Sequence, residues 1–482
     1  MNKRIATGVV AGVLALSVTG YAVADAFDVS DELPSFLTVD PPIEVQPVPE
    51  PRAVSSDVPA PASALDDSAT VPAGVGKVVD GILSSAQVKG LGIEVRDALS
   101  NKVLYARGQN EGRTPASVTK VLTGAAALLT IGGQERLTTS AEFDPATSTL
   151  TLKGGGDPLL GAGDSQPSAV VGHAGLRTLA VQAARALKDR GVAEVKLNLD
   201  TSRYPGPDFD PGWSRSDIGK GVITPIQPLM IDTGYLGGTG EWRPRSEHPA
   251  KDAFAAFDKE LQAAGITVTE NPRPASAQAG ATTGSTDSAT EGSTDSATVA
   301  AVESATISEL LEYALVHSDN VVAEVLGREV AIASGQPGSA AAAPKAVLAA
   351  LEETVDLGQT HLEDTSGLTY ANRISPHDLT SVLQASAVAD GSLSSLISLM
   401  PVGGLTGTLS DRFTNDEMAT GQVHAKTGTL STVTSLAGGV LDRDGRYLVF
   451  SLQVDHVKKG KILDARKTID DIVTALANCG CR

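Results

Sequence analysis

Two side chains in the stretch Thr114-Pro115-Ala116-Ser117-Val118-Thr119-Lys120 have types and spacing that allow them to do chemistry together. Pro115 stands ahead of an apolar, helix-like run from Val121 to Leu129. Ser117 therefore falls in the first turn of a helix, and Lys120, three residues on, lies on the same face. A serine hydroxyl is a weak nucleophile at neutral pH, and an adjacent base is one way to activate it. Backbone N–H groups at a helix start also favour negative charge developing there. The chemistry would be nucleophilic attack on a carbonyl. The same spacing also occurs in helices where the serine caps and the lysine is solvated.

Two other stretches carry polar groups in places that need explaining. His317-Ser318-Asp319-Asn320 interrupts apolar helical periodicity that runs from Ile307 to Val316 and resumes from Val321 to Ile332. Polar residues between two apolar helices must find partners or line a cleft. Ser318 and Asn320 are the candidates to face one, with capping of the second helix as the alternative. His424-Ala425-Lys426-Thr427-Gly428-Thr429 leads into two strand-like segments, 435–441 and 447–454, around a turn at 442–446. Lys426 is expected on a strand of the same sheet as the N-terminal hairpin, with Gly428 permitting close approach of a ligand backbone. A solvated strand end is the plainer account of Lys-Thr-Gly.

The elements that must position these residues follow from periodicity. Gly90–Val95 and Val103–Ala106 flank the turn-like 97–101 and read as a hairpin. It leads directly into the Ser117 helix. Residues 147–153 read as a strand ending in Gly154-Gly155-Gly156-Asp157-Pro158, a tight turn, because no clear helix follows to make it a phosphate loop. Helices are expected at 176–188 and 252–264, a strand at 192–199, another helix at 379–388 and a closing amphipathic helix at 462–477. Residues 141–299 thus form an inserted α/β domain between two parts, 77–140 and 300–482, of the domain that carries the three motifs. Its far end is low-complexity: Gly284-Ser285-Thr286-Asp287-Ser288-Ala289-Thr290 recurs at 292–298, which fits a flexible surface loop.

With 482 residues the chain has room for two or three domains, and its net charge of −19 argues against nucleic-acid binding, which needs clustered Lys and Arg. The only cysteines are Cys479 and Cys481. They offer no disulfide framework and no zinc-ligand spacing, and a one-residue gap is poor geometry for a bridge. No cofactor and no metal are expected. Lys3-Arg4, the apolar 5–23 and Ala22-Val23-Ala24 ahead of Asp25 read as an export signal over 1–24, or as a membrane anchor. Residues 25–76, with Pro41-Pro42 and Pro47-Val48-Pro49-Glu50-Pro51, read as a Pro/Ala-rich disordered linker. The rest of the chain is then expected in the cell envelope or outside the cell.

Each motif is weak alone, but Ser-x-x-Lys, Ser-Asp-Asn and Lys-Thr-Gly in this order form one set. On them the chain resembles the penicillin-binding, serine D-Ala-D-Ala peptidase superfamily. It is most similar to the low-molecular-mass carboxypeptidase/endopeptidase branch that includes penicillin-binding protein 4. The long insert between Lys120 and Ser318 matches that branch, as do the Gly154–Pro158 turn and Ser366-Gly367-Leu368…Asn372-Arg373…Ser375-Pro376. The resemblance runs from about Val78 to the C-terminus. One departure is Tyr370, where similar proteins often have Arg. The resemblance implies an α/β (α+β) fold, an antiparallel sheet flanked by helices with the insert added.

It also implies acyl transfer on peptidoglycan peptides ending in D-Ala-D-Ala, and acylation by β-lactam antibiotics. Ser117 would be the nucleophile, Lys120 the base and Ser318 the relay of a proton to the leaving amine. Asn320 would hold the substrate amide. Lys426, Thr427 and Thr429 would receive the terminal carboxylate beside Gly428. The oxyanion would lie between the N–H groups of Ser117 and Thr429. Lys426 would supply the second positive charge that lowers the proton affinity of Lys120. A serine β-lactamase and a non-catalytic wall-binding scaffold are the alternatives.

Overall fold

The computed structural model describes residues 74–86, 88–237, 243–270, 296–458 and 460–479. The segment read as an export signal, nearly all of the stretch read as a linker and the first polar heptapeptide lie outside the described residues. The second heptapeptide does so in part: Ala297 and Thr298 open a strand rather than belonging to a loop.

Five strands make the sheet that carries the site, in the order β2-β1-β10-β9-β8 and antiparallel throughout. They are β1 (Leu91–Asp97), β2 (Val103–Arg107), β8 (Val423–Leu430), β9 (Val433–Leu441) and β10 (Tyr447–Val454). The hairpin near the N-terminus thus pairs with the last strand of the chain, and Lys-Thr-Gly lies on an edge. Both faces are covered. Behind the sheet, helix α1 (Val75–Ser85) and the closing helix Ile462–Ala477 pack on Ile93, Val95, Leu436 and Phe450. In the closing helix, Ala465, Ile469, Ile472, Val473 and Leu476 recur every three or four residues, so one stripe faces the sheet. In front lies helix α2 (Thr119–Thr130), buried along most of its length, among the helices Ile307–Val316, Asn320–Ala333, Ala343–Glu352 and Pro376–Val388. At Gly124 of α2 a Cβ would lie 2.8 Å from Leu311, so the helices meet closely there.

A second five-stranded sheet has the order β6-β5-β4-β3-β7. It takes in β3 (Arg136–Asp144), β4 (Thr149–Lys153), β5 (Glu194–Asp200), β6 (Thr267–Glu270) and β7 (Ala297–Thr306), and the run β4-β5-β6 is parallel. Helices α3 (Leu176–Asp189) and α4 (Pro249–Ala263) bury Leu179, Ala183, Leu187 and Phe257 against it. The triple glycine is more than a turn. A Cβ on Gly154 would lie 2.8 Å from Pro228 O, one on Gly155 would overlap Thr138, and Gly156 holds φ +91°. Backbone packs on backbone there.

Beside the motif-bearing helices, Tyr204, Trp213, Ile223, Ile226 and Met230 bury themselves against Val321 and Val325. This apolar contact presses residues 204–230 onto the start of the helix that follows Ser318-Asp319-Asn320. At the other end of the chain, Cys479 is in a disulfide rather than free, against the expectation from its spacing. Cys481 lies outside the described residues.

Candidate active site

Ser117 sits in a single 3-10 turn, Ala116–Val118, directly before α2. The turn is tight because Ala116 holds φ +53°, a left-handed conformation costing a non-glycine residue on the order of 1–3 kcal/mol. Its surroundings enforce it. Thr119 Oγ1 donates to Ala116 O at 2.8 Å, and Ser435 Oγ donates to Pro115 O at 2.6 Å. Gly367 presses on the same carbonyl of Ala116, leaving no room for a side chain. Gly428 packs on the turn in the same way, for a Cβ there would lie 2.6 Å from Pro115 O. The close approach foreseen for a ligand is thus made by the chain's own Ser117 turn.

Lys120 is buried, and its Nζ has three neighbours: Ser117 Oγ at 3.2 Å, Asn320 Oδ1 at 2.7 Å and Ser366 O at 2.7 Å. Two of these are carbonyl oxygens that only accept. A neutral amine gives its two protons to them, and its lone pair is then left for the Ser117 hydroxyl. Burial lowers the proton affinity of Lys120 from that of a free lysine to about 8, against the pull of Asp319, Asp364 and Glu324. Burial, not Lys426, is thus the leading cause on Lys120. Lys426 is held well below an ordinary lysine by its own burial, and Lys120 and Arg412 add to that as neighbouring cations.

Lys426 reaches Ser318 Oγ at 2.9 Å and Thr427 O at 2.9 Å. It is fully buried, whereas Thr427 is half-buried and Thr429 exposed. The groups open to a ligand are therefore the threonines, with the lysine side chain behind them. On the outer edge of β8, Ala425 N donates to Pro401 O at 3.0 Å. Strand alternation aims the N–H groups of Thr427 and Thr429 toward the same side.

Ser318 holds φ +55°, the second left-handed non-glycine residue at the site. Asp319 does cap the next helix, accepting from Val322 N at 2.9 Å. Its other oxygen accepts from Arg245 Nη2 at 2.6 Å in an ion pair buried on both sides. Arg245 also donates to Gly221 O and Thr233 O, both at 2.8 Å. Asn320 Nδ2 donates to Val222 O at 3.1 Å, so its amide is satisfied at both ends by protein groups. Arg245 and Val222 lie far in sequence from all three motifs. Sequence reasoning missed both, since nothing in the composition of 221–246 marks it as part of the site.

Ser117, Lys120, Ser318, Asn320, Lys426, Thr427, Gly428 and Thr429 are brought to one place, with the strand edge beside the serine turn. Asn372 is buried and braces the floor: its Oδ1 accepts from Glu363 N at 2.7 Å, and its Nδ2 donates to Asp364 Oδ1 at 2.9 Å. Asp364 in turn accepts from Gly367 N, Thr369 N and, from a distant part of the sequence, Trp213 Nε1 at 3.0 Å. Tyr370 is exposed, and its hydroxyl accepts from Ser431 N at 3.1 Å.

Comparison with known proteins gives a consistent result. A carboxypeptidase of Mycobacterium tuberculosis is 34% identical over 90% of this chain and 90% of that protein. Carboxypeptidase DacB of Mycolicibacterium smegmatis is 33% identical over 99% of this chain and 98% of its own length. The crystal structure of penicillin binding protein 4 from Haemophilus influenzae shares the fold, with TM-score 0.65 at 21% identity over 83% of this chain and 98% of that one. The family described as D-Ala-D-Ala carboxypeptidase 3 (S13) matches residues 77–242 and 238–476, and the chain belongs to that family.

Proposed function

We propose that the chain is a serine-type peptidase that removes the terminal residue of peptidoglycan stem peptides ending in D-Ala-D-Ala, through an acyl-enzyme on Ser117. The observation that carries this reading is the Lys120 amine. Two carbonyl acceptors hold it with its third direction on Ser117 Oγ, and burial brings it within reach of the neutral form. Lys120 takes the Ser117 proton as Oγ bonds to the carbonyl carbon of the penultimate D-Ala. The amide bond breaks, and the proton that Lys120 took from Ser117 reaches the departing D-Ala amine through Ser318, which Lys426 holds. Water then hydrolyses the ester. The N–H groups of Ser117 and Thr429 stabilise the oxyanion. The hydroxyls of Thr427 and Thr429, backed by Lys426, receive the terminal carboxylate.

β-Lactams fit the same reading, since they offer a strained amide and a carboxylate to the same groups. The H. influenzae protein has been crystallised with a β-lactam. Export is part of the proposal, because stem peptides lie outside the cytoplasm. The N-terminal residue of the protein isolated from cells distinguishes cleavage after Ala24 from retention of 1–24 as an anchor.

The test is release of D-alanine from a soluble peptide ending in D-Ala-D-Ala across a pH series. The base must be neutral, so kcat/KM is expected to rise with pH and level off above about 8. No release at any pH, from protein shown to be folded, would contradict the proposal.

A further inference from the structure

The base has a supporting group that none of the three motifs contains. Glu324 lies one helical turn after Asn320, and its side chain is buried. Its Oε1 accepts from Thr365 N at 3.1 Å and Ser366 N at 2.8 Å, and its Oε2 from Thr365 Oγ1 at 3.0 Å. Ser366 is thus gripped at both ends, its N–H by Glu324 and its carbonyl by Lys120 at 2.7 Å. The loop is pressed onto the helix at this point, for a Cβ on Gly327 would lie 2.7 Å from the Cβ of Thr365.

We propose that Glu324 is a positioning residue for Lys120: its carboxylate fixes the Thr365–Ser366 backbone that aims the amine at Ser117, and places a negative charge behind it. This rests on the reading of Lys120 as the base. Three donors and no acceptor surround the carboxylate, which suits the ionised form. Burial opposes that form and raises the acid to about 7, with nearby Asp364 acting the same way. Arg328, one further turn along the helix, opposes the rise. Its guanidinium is 1% exposed, with Nε unpartnered and Nη1 only 3.4 Å from Gly338 O, so its charge is little spent on hydrogen bonds. Besides Glu324, Tyr204, Asp208 and Asp210 act electrostatically on Arg328.

The charges facing Lys120 divide by element. Asp319 precedes the helix and is already paired with Arg245. Asp364, in the loop, accepts from Gly367 N, Thr369 N, Asn372 and Trp213. Lys426 approaches from β8, its own proton affinity lowered by burial and by Lys120 and Arg412. While Asp364 holds the next N–H, that of Gly367, Glu324 is the carboxylate of the three that accepts from the N–H of Ser366, the residue whose carbonyl touches the amine. Its titration near neutrality would pass to Lys120 as a change in proton affinity.

The test is the pH profile of kcat/KM for D-alanine release by the full chain. Glu324→Gln keeps the size and one acceptor but removes the charge, so Lys120 loses its proton more readily. The acidic limb is expected to move to lower pH by at least about half a unit, with a plateau on the order of tenfold lower. Glu324→Asp, which retains the charge, should leave the limb near its wild-type position while lowering the plateau. Arg328→Gln leaves every hydrogen bond of Glu324 in place and favours its neutral form, so its limb should also move to lower pH. A folded Glu324→Gln enzyme whose limb superimposes on the wild type overturns the proposal. If that variant does not fold, an unmoved limb in Arg328→Gln does so. Wild-type protein lacking any pH-dependent release would instead remove the reading of Lys120 on which the inference rests.

Discussion

Lys120→Ala is expected to slow acylation of Ser117 by on the order of 10²–10⁴-fold, the usual contribution of a positioned general base. The loss should fall on chemistry more than on the fold. Removing the side chain leaves Asn320 Oδ1 and Ser366 O without their donor, a cost of about 1–3 kcal/mol per buried group. It also removes a buried ammonium whose desolvation already lowers its proton affinity to about 8. These effects oppose one another, so the melting temperature should move little while the acylation rate collapses. Stopped-flow acylation by a chromogenic β-lactam, beside a thermal scan, separates the two. A rate within about threefold of wild type would remove Lys120 from the role of base.

Arg245→Ala should carry the largest penalty in stability. It strips the partner from Asp319 while leaving that carboxylate buried, which typically costs about 3–5 kcal/mol. Gly221 O and Thr233 O lose a donor in the same step. Activity should fall too, because Asp319 stands between Ser318 and Asn320. The pH dependence has a definite sign. Despite burial, the Arg245 guanidinium holds the folded Asp319 carboxyl below its ordinary value, so the pair stabilises the protein above the unfolded pKa. That stabilisation is lost as pH falls through the folded value. Urea unfolding should therefore show the widest gap between wild type and Arg245→Ala near neutrality, narrowing on acidification. Adding Asp319→Asn should recover part of the loss; no recovery would mean that Arg245 acts through packing alone.

Much of the fold was legible because its signals are local. The 90–106 hairpin, the helices at 176–188 and 252–264, and the strand at 192–199 each declared themselves by periodicity and end near the expected residues. So did the last two strands and the closing helix. Strands β3 and β7 were missed: β7 opens inside a polar repeat, and β3 is rich in Thr, Ser and charged residues rather than cleanly alternating.

The site was legible for a different reason. Ser117 with Lys120, Ser318 with Asn320, and Lys426 with Gly428 each lie within a few residues, so their spacing could be read. What holds them was not. Arg245 meets Asp319 across 74 residues, and Lys120 meets Ser366 across 246, contacts that only the folded chain creates. Glu324 alone left a trace, as an acidic residue four positions after Asn320 in an otherwise apolar stretch of helix.

The claim that most needs a direct answer is that Ser117 is the acylated residue. Incubate the purified protein with benzylpenicillin, record the intact mass, and map the adduct by peptide analysis. A single adduct on the peptide carrying Ser117, absent from Ser117→Ala, is the expected result. An adduct of equal yield on Ser117→Ala, or one mapped to another residue, would contradict the account.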